Sequence, residues 1–87
     1  MEEKLSEVEL QNRLHTAKRQ VEIGSLYKHY KGGLYKVIGV AIEEKDNSIA
    51  VIYQAQYGKN LTFIRELDIW LEEVEFEGQK VKRFSKA

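Results

Sequence analysis

The chain has no cysteine among its 87 residues, which removes disulfides, thiolate nucleophiles and every structural zinc site built on sulfur. It has no apolar run near the roughly 20 residues that a membrane-spanning helix requires, so no membrane segment is expected. It also lacks an excess of charge of either sign: 14 basic and 14 acidic side chains cancel, and net charge gives no strong nonspecific pull toward nucleic acid or anionic membrane. Met1-Glu2-Glu3-Lys4 does not show the basic start and apolar run of a secretory signal, and with no cysteine a cytoplasmic location is expected. At this length a single small domain is expected, with an economical core.

What is present divides into two unlike parts, an N-terminal helical extension over 1–23 and a small β-barrel domain over 24–87. From Ser6 to about Val21, apolar residues at Leu10, Leu14, Ala17 and Val21 recur at helical spacing, Ser6 and Glu9 have the separation of a capping box, and Gly24 serves as a stop. Such a helix is too short to be stable alone and must dock on its own sheet or on a second copy, which makes a homodimer through the helix one expectation. After Gly24 the period becomes two. Ser25–Tyr30 and Leu34–Ala41 flank the turn Lys31-Gly32-Gly33, and a strand from Ser48 puts Ile49, Val51, Tyr53, Ala55 and Tyr57 on one face. Gly58-Lys59-Asn60 turns into Leu61–Ile64, Arg65–Leu71 reads as a short helical turn with Leu67, Ile69, Trp70 and Leu71 available for burial, and Val74–Phe76 and Lys80–Phe84 form a last hairpin. Five or six short antiparallel strands of this kind predict a mainly β fold, an SH3-like small barrel carrying an N-terminal amphipathic α-helix.

The ordered series Tyr27-Lys28-His29-Tyr30-Lys31-Gly32-Gly33, then Tyr35, Val37, Gly39 and Ala41, Val51 and Tyr53, Arg65, Gly78 and Arg83-Phe84 resembles the bacterial domain-of-unknown-function family 1653 over about residues 24–84. The resemblance implies no assigned activity. Two segments depart from the family pattern: Glu43-Glu44-Lys45-Asp46 stands where the family usually has His-Ser-Glu-Thr, and Phe63-Ile64-Arg65-Glu66 where it has Trp-Val-Arg-Pro.

The chemistry favours binding over catalysis. His29 is the imidazole best placed for acid–base work, but no base, orienting group and reacting-atom site accompany it, and a hydrogen-bonded structural role is the simpler reading. Two histidines on separate elements and the acidic turn Glu43, Glu44 and Asp46 do not make a metal site, and Gly32-Gly33 lacks the pattern of a phosphate loop, so no metal and no cofactor are expected. Tyr53, Phe63 and Trp70 are assigned to the core. The expected ligand edge is Tyr27, His29, Tyr30 and Lys31 with Arg65, contacting a protein, a peptide or a small ligand. For Arg65 and Arg83 alike, holding loop carbonyls or a carboxylate is the simpler role. The expected function is thus a noncatalytic binding or accessory module. The alternative is a nucleic-acid-binding domain using Lys28, Lys31, Lys36, Lys80, Lys82 and Arg83, against which stands cross-strand neutralisation by the acidic run 66–77; a small enzyme relying on His29 comes last.

Overall fold

A computed structural model describes residues 6–87 of the chain. The fold is mainly β and antiparallel. Helix α1 (Glu7–Gln20) precedes strands β1 (Leu26–His29), β2 (Leu34–Glu43), β3 (Ser48–Ala55) and β4 (Thr62–Glu66); a single-turn α2 (Leu67–Trp70) then leads to β5 (Glu73–Phe76), β6 (Gln79–Lys82) and β7 (Phe84–Lys86). Five strands form one sheet in the order β4-β3-β2-β1-β7, and β5-β6 make a separate ribbon. Among the described residues no helix is long and apolar enough to cross a membrane.

The Ser6 hydroxyl caps α1 by accepting the Glu9 N–H at 3.2 Å, while Glu7 and Glu9 in the first turn and Lys18 and Arg19 in the last complement the helix dipole. The helix ends at Gln20, four residues before the expected stop at Gly24, because Val21 turns extended and sends its side chain into the core. Ala17 and Val21 are fully buried against the protein's own sheet, whereas Leu10 and Leu14 are half-buried. Docking is therefore intramolecular at the C-terminal half of the predicted stripe.

Turn chemistry explains the hairpins. Gly32 and Gly33 adopt φ of 105° and 90°, a left-handed conformation that a side chain at either position would strain, and they reverse the chain between β1 and β2. Along β2 the pairing with β3 slips by one residue between Val37 and Gly39. This bulge leaves Ile38 exposed and lets Val37, opposite Tyr53, and Val40, opposite Val51, face the same side of the sheet. β3 lies inside the sheet, and its alternate residues Val51, Tyr53 and Ala55 are all buried.

The expected closed barrel is not what the strand pairing gives. β4 and β7 are the two ends of the sheet and share no backbone pairing, because Lys80–Phe84 does not run as one strand: Arg83 interrupts it. The Arg83 N–H binds the Glu72 carbonyl at 2.9 Å and its carbonyl accepts the Tyr30 N–H at 3.0 Å, so β6 stays with the ribbon and β7 leaves to pair with β1. The open sheet is nevertheless strongly curled. Laid flat, β4 and β7 would be about 19 Å apart at the usual strand spacing, yet the Arg65 guanidinium of β4 sits 5.9 Å from the Phe84 ring of β7. Inside the curl, Trp70 stacks on Phe84 at 3.7 Å with planes 7° apart, and Tyr27 and Tyr53 meet Trp70 edge-on. Two boundary expectations shift as well: Arg65 belongs to β4 rather than to a helical turn, and of the apolar residues after it Leu67 and Trp70 are buried while Ile69 and Leu71 are exposed.

Candidate functional site

At one end of the concave face the curl leaves a cleft of about 200 Å³, lined by His29, Tyr35, Tyr53, Phe63, Arg65 and Phe84. Strand alternation puts these residues there. His29 lies opposite Phe84 across β1 and β7, Tyr53 opposite Phe63 across β3 and β4, and Arg65 is two residues beyond Phe63 on the same face of β4. The floor is aromatic: Tyr53 contacts Tyr35 at 5.4 Å, Phe63 at 5.7 Å and Phe84 at 5.6 Å between ring centroids.

The cleft is electropositive without a compensating acid. None of its lining residues is a carboxylate, and among the described residues the Arg65 side chain makes no hydrogen bond or ion pair, its guanidinium lying on the face of Phe84. The Tyr35 phenol shares a hydrogen bond with Tyr57, which together with burial pushes its pKa up to about 12, so it brings no negative charge. Burial, then the neighbouring charges of Arg65, Arg83 and Lys31, holds His29 below its ordinary pKa of 6.5. The Lys31 N–H donates to His29 Nδ1 at 3.2 Å, which leaves the neutral ring with its proton on Nε2 as a donor. Because folding favours the neutral imidazole, its contribution to stability is complete above pH 6.5 and is lost as the pH falls below that value. The urea midpoint should drop over that acid range, and His29→Gln should flatten the drop; an unchanged profile in the variant would remove His29 as its source.

Of the five residues expected at the ligand edge, His29 and Arg65 line this cleft, while His29 also meets Tyr30 at 4.6 Å between ring centroids and shares with it a second hollow of about 190 Å³ beside Phe76. Tyr27 is instead 8% exposed, its ring against Trp70 and its hydroxyl accepting the Glu22 N–H, so it belongs to the core. Tyr30 lies beyond the end of β1 and packs edge-on against Phe76 of the ribbon, with the Lys31 ammonium 5.7 Å from its ring. The two arginines given one role by their sequence settings differ here: Arg83 binds the Ile69 carbonyl at 3.1 Å and the Glu72 carboxylate at 2.8 Å and fixes the loop, while the Arg65 side chain holds no carbonyl or carboxylate among the described residues and lies on the face of Phe84. Phe63, assigned to the core from sequence, is 42% exposed and forms a wall of the cleft. Its membership, and that of Tyr35, was readable only from pairing register. Toward the tail the expected cross-strand arrangement is partly present: Lys80 lies opposite Glu75 and Lys82 opposite Glu73 in the ribbon and Arg83 pairs with Glu72, whereas Lys86 pairs with Glu22, outside the acidic run.

A larger hollow of about 350 Å³ lies on the other side of Phe84. Its aromatic lining, Tyr27, Trp70 and Phe84, is buried core, and its Lys86 is already paired with Glu22, so it offers less to a ligand than the smaller cleft.

Comparison with known proteins agrees with this architecture. The family model described as protein of unknown function (DUF1653) matches residues 25–86, leaving α1 outside the match. Among solved structures, the chain is similar to the crystal structure of a DUF1653 protein from Bordetella bronchiseptica, at 29% identity and a TM-score of 0.67, over 76% of this chain and 87% of that one. The search of curated proteins finds no match. On the extent of the family match, the chain belongs to the DUF1653 family.

Proposed function

We propose that the protein is a noncatalytic binding module whose cleft between β1, β4 and β7 takes the anionic group of a ligand. The observation that carries the reading is Arg65: a guanidinium with five donors and no hydrogen-bond or ion-pair partner among the described residues, seated over an aromatic floor in a cleft whose lining holds no acid. Desolvation by Phe63, Phe84 and Tyr53 would strengthen any charge-assisted bond formed there. His29 adds an Nε2–H donor, but no carboxylate orients it and Lys31 occupies Nδ1, which speaks for a binding role over an acid–base one. The curled sheet of short strands supports an SH3-like reading of the architecture, open along the seam between β4 and β7. A cytoplasmic protein with a peptide, protein or small-molecule partner fits this reading.

Titration with acetate, benzoate and inorganic phosphate, followed by the side-chain resonances of Arg65 and His29, tests it. Saturable shifts are expected. Arg65→Gln should weaken the binding at least about tenfold and lower the melting temperature only slightly, since the guanidinium's one contact with the rest of the fold is the face of Phe84, worth about 1 kcal/mol. A collapse of the melting temperature would make Arg65 structural, and the absence of shifts at either residue would end the proposal. Binding to nucleic acid is less supported on the tail side, because Glu72 pairs with Arg83 and Glu73 and Glu75 lie opposite Lys82 and Lys80, which leaves that reading to the hairpin lysines Lys28, Lys31 and Lys36.

A further inference from the structure

The outer edge of β4 is the feature that the anion-binding reading leaves unused. β4 ends the five-stranded sheet, so among the described residues its outward backbone groups have no strand beside them. Such an edge is a template for another chain unless charge, proline, a bulge or a cover blunts it, and here the inward-pointing charge of Arg65 disfavours any added strand that brings no acid to meet it. The strand reads Thr62-Phe63-Ile64-Arg65-Glu66, with no proline or lysine, and its pairing to β3 runs without a bulge. Leu61, Phe63 and Ile64 are 59%, 42% and 60% exposed. The opposite edge, β7, is only three residues long and carries Lys86.

Resting on the proposal that the cleft takes an anionic group, we infer that its ligand is an extended peptide segment that adds to the free edge of β4 as a further strand and places an acidic side chain opposite Arg65. The two faces of β4 make the argument. Phe63 and Arg65 point to the cleft, Ile64 to the convex side, and a residue directly opposite either one on an added antiparallel strand has its Cβ about 4.5–5.5 Å away on the same face. A carboxylate opposite Arg65 therefore reaches the unpartnered guanidinium, and an apolar side chain two positions along meets Phe63. Backbone pairing gives affinity that does not depend on sequence, and the cleft gives the selection for charge.

A second copy of this chain fits the edge less well. Antiparallel self-pairing centred on Ile64 sets Arg65 of each protomer opposite Phe63 of the other and supplies no carboxylate, so both guanidinium groups stay unpaired. An acidic peptide supplies what is missing.

The test uses the full chain and two bead-displayed libraries of blocked seven-residue peptides that alternate threonine and valine at random order around a fixed centre, glutamate in one library and glutamine in the other. Glutamate peptides should be retained at least about tenfold better. Arg65→Gln should bring the two libraries to parity, and Ile64→Lys, which charges the edge without entering the cleft, should reduce retention of both. Equal retention of the two libraries by the unaltered protein overturns the inference. So does acetate or benzoate binding at Arg65 that Ile64→Lys does not affect while neither library is retained, which leaves the cleft reading standing. No response at Arg65 to peptides or to small anions removes both. A concentration-dependent dimer in sedimentation, abolished by Ile64→Lys, would give the edge to a second copy and overturn the peptide assignment.

Discussion

Replacing Phe84 by alanine is expected to cost about 3–5 kcal/mol of folding stability. The side chain is 5% exposed and sits at the centre of the aromatic cluster: its ring stacks on Trp70, meets His29, Tyr35 and Tyr53 near edge-on, and carries the Arg65 guanidinium on its face. Truncation removes the transfer free energy of the ring and leaves a void that the curled sheet can fill only by closing the cleft. For a chain of this size the whole stability is on the order of 4–13 kcal/mol, taking about 0.05–0.15 per residue, so much of it would go. Urea denaturation followed by Trp70 fluorescence gives the answer directly. Phe63→Ala, at the exposed rim, should shift the midpoint far less. Equal losses at the two positions would mean that the cleft wall is as much a part of the core as its floor.

Placing aspartate at Ala17 should be comparably damaging, by about 3 kcal/mol or more, because the position is fully buried and none of the residues of its core cluster is basic, so a carboxylate there would have no countercharge. The chain can avoid burying the charge only by releasing the C-terminal half of α1, which would uncover Val37 and Val51. Far-UV circular dichroism and the melting temperature should fall together, with concentration-dependent association as uncovered valines meet those of other molecules. If the melting temperature held, α1 would be an appendage to the sheet, consistent with a family match that begins only at residue 25.

Much of this fold is legible in the sequence because it follows from local rules. The helix announces itself through Ser6, Glu9 and the stripe ending in Ala17 and Val21, and the hairpins through Gly32-Gly33 and Glu77-Gly78, where positive φ is required. What local rules do not carry is which strands are neighbours. The residues from Lys80 to Phe84 read as one strand, since nothing in the segment itself shows that Arg83 will be held by Glu72 and Ile69 and turn the chain away. The bulge at Ile38 is likewise silent, an extra residue within a continuous apolar run. For the site, His29 and Arg65 stand out by chemistry alone. Phe63 does not, because its exposure depends on β4 being the end of the sheet, and the contrast between Arg65 and Arg83 depends on partners far off in sequence.

The order of strands in the sheet has a kinetic consequence. β1, β2, β3 and β4 follow one another as successive hairpins, so each can pair with a neighbour that is close along the chain and loop closure costs little. β7 must instead find β1 across all the intervening strands, and it brings Phe84 with it. The meander is therefore expected to form the folding nucleus and β7 to join after the rate-limiting step. Truncations of Phe84 would then speed unfolding while leaving refolding nearly as fast, and truncations of Val51 would slow refolding. On that expectation the lifetime of the native state is governed by how firmly a three-residue strand stays zipped to the edge of a sheet that has already formed.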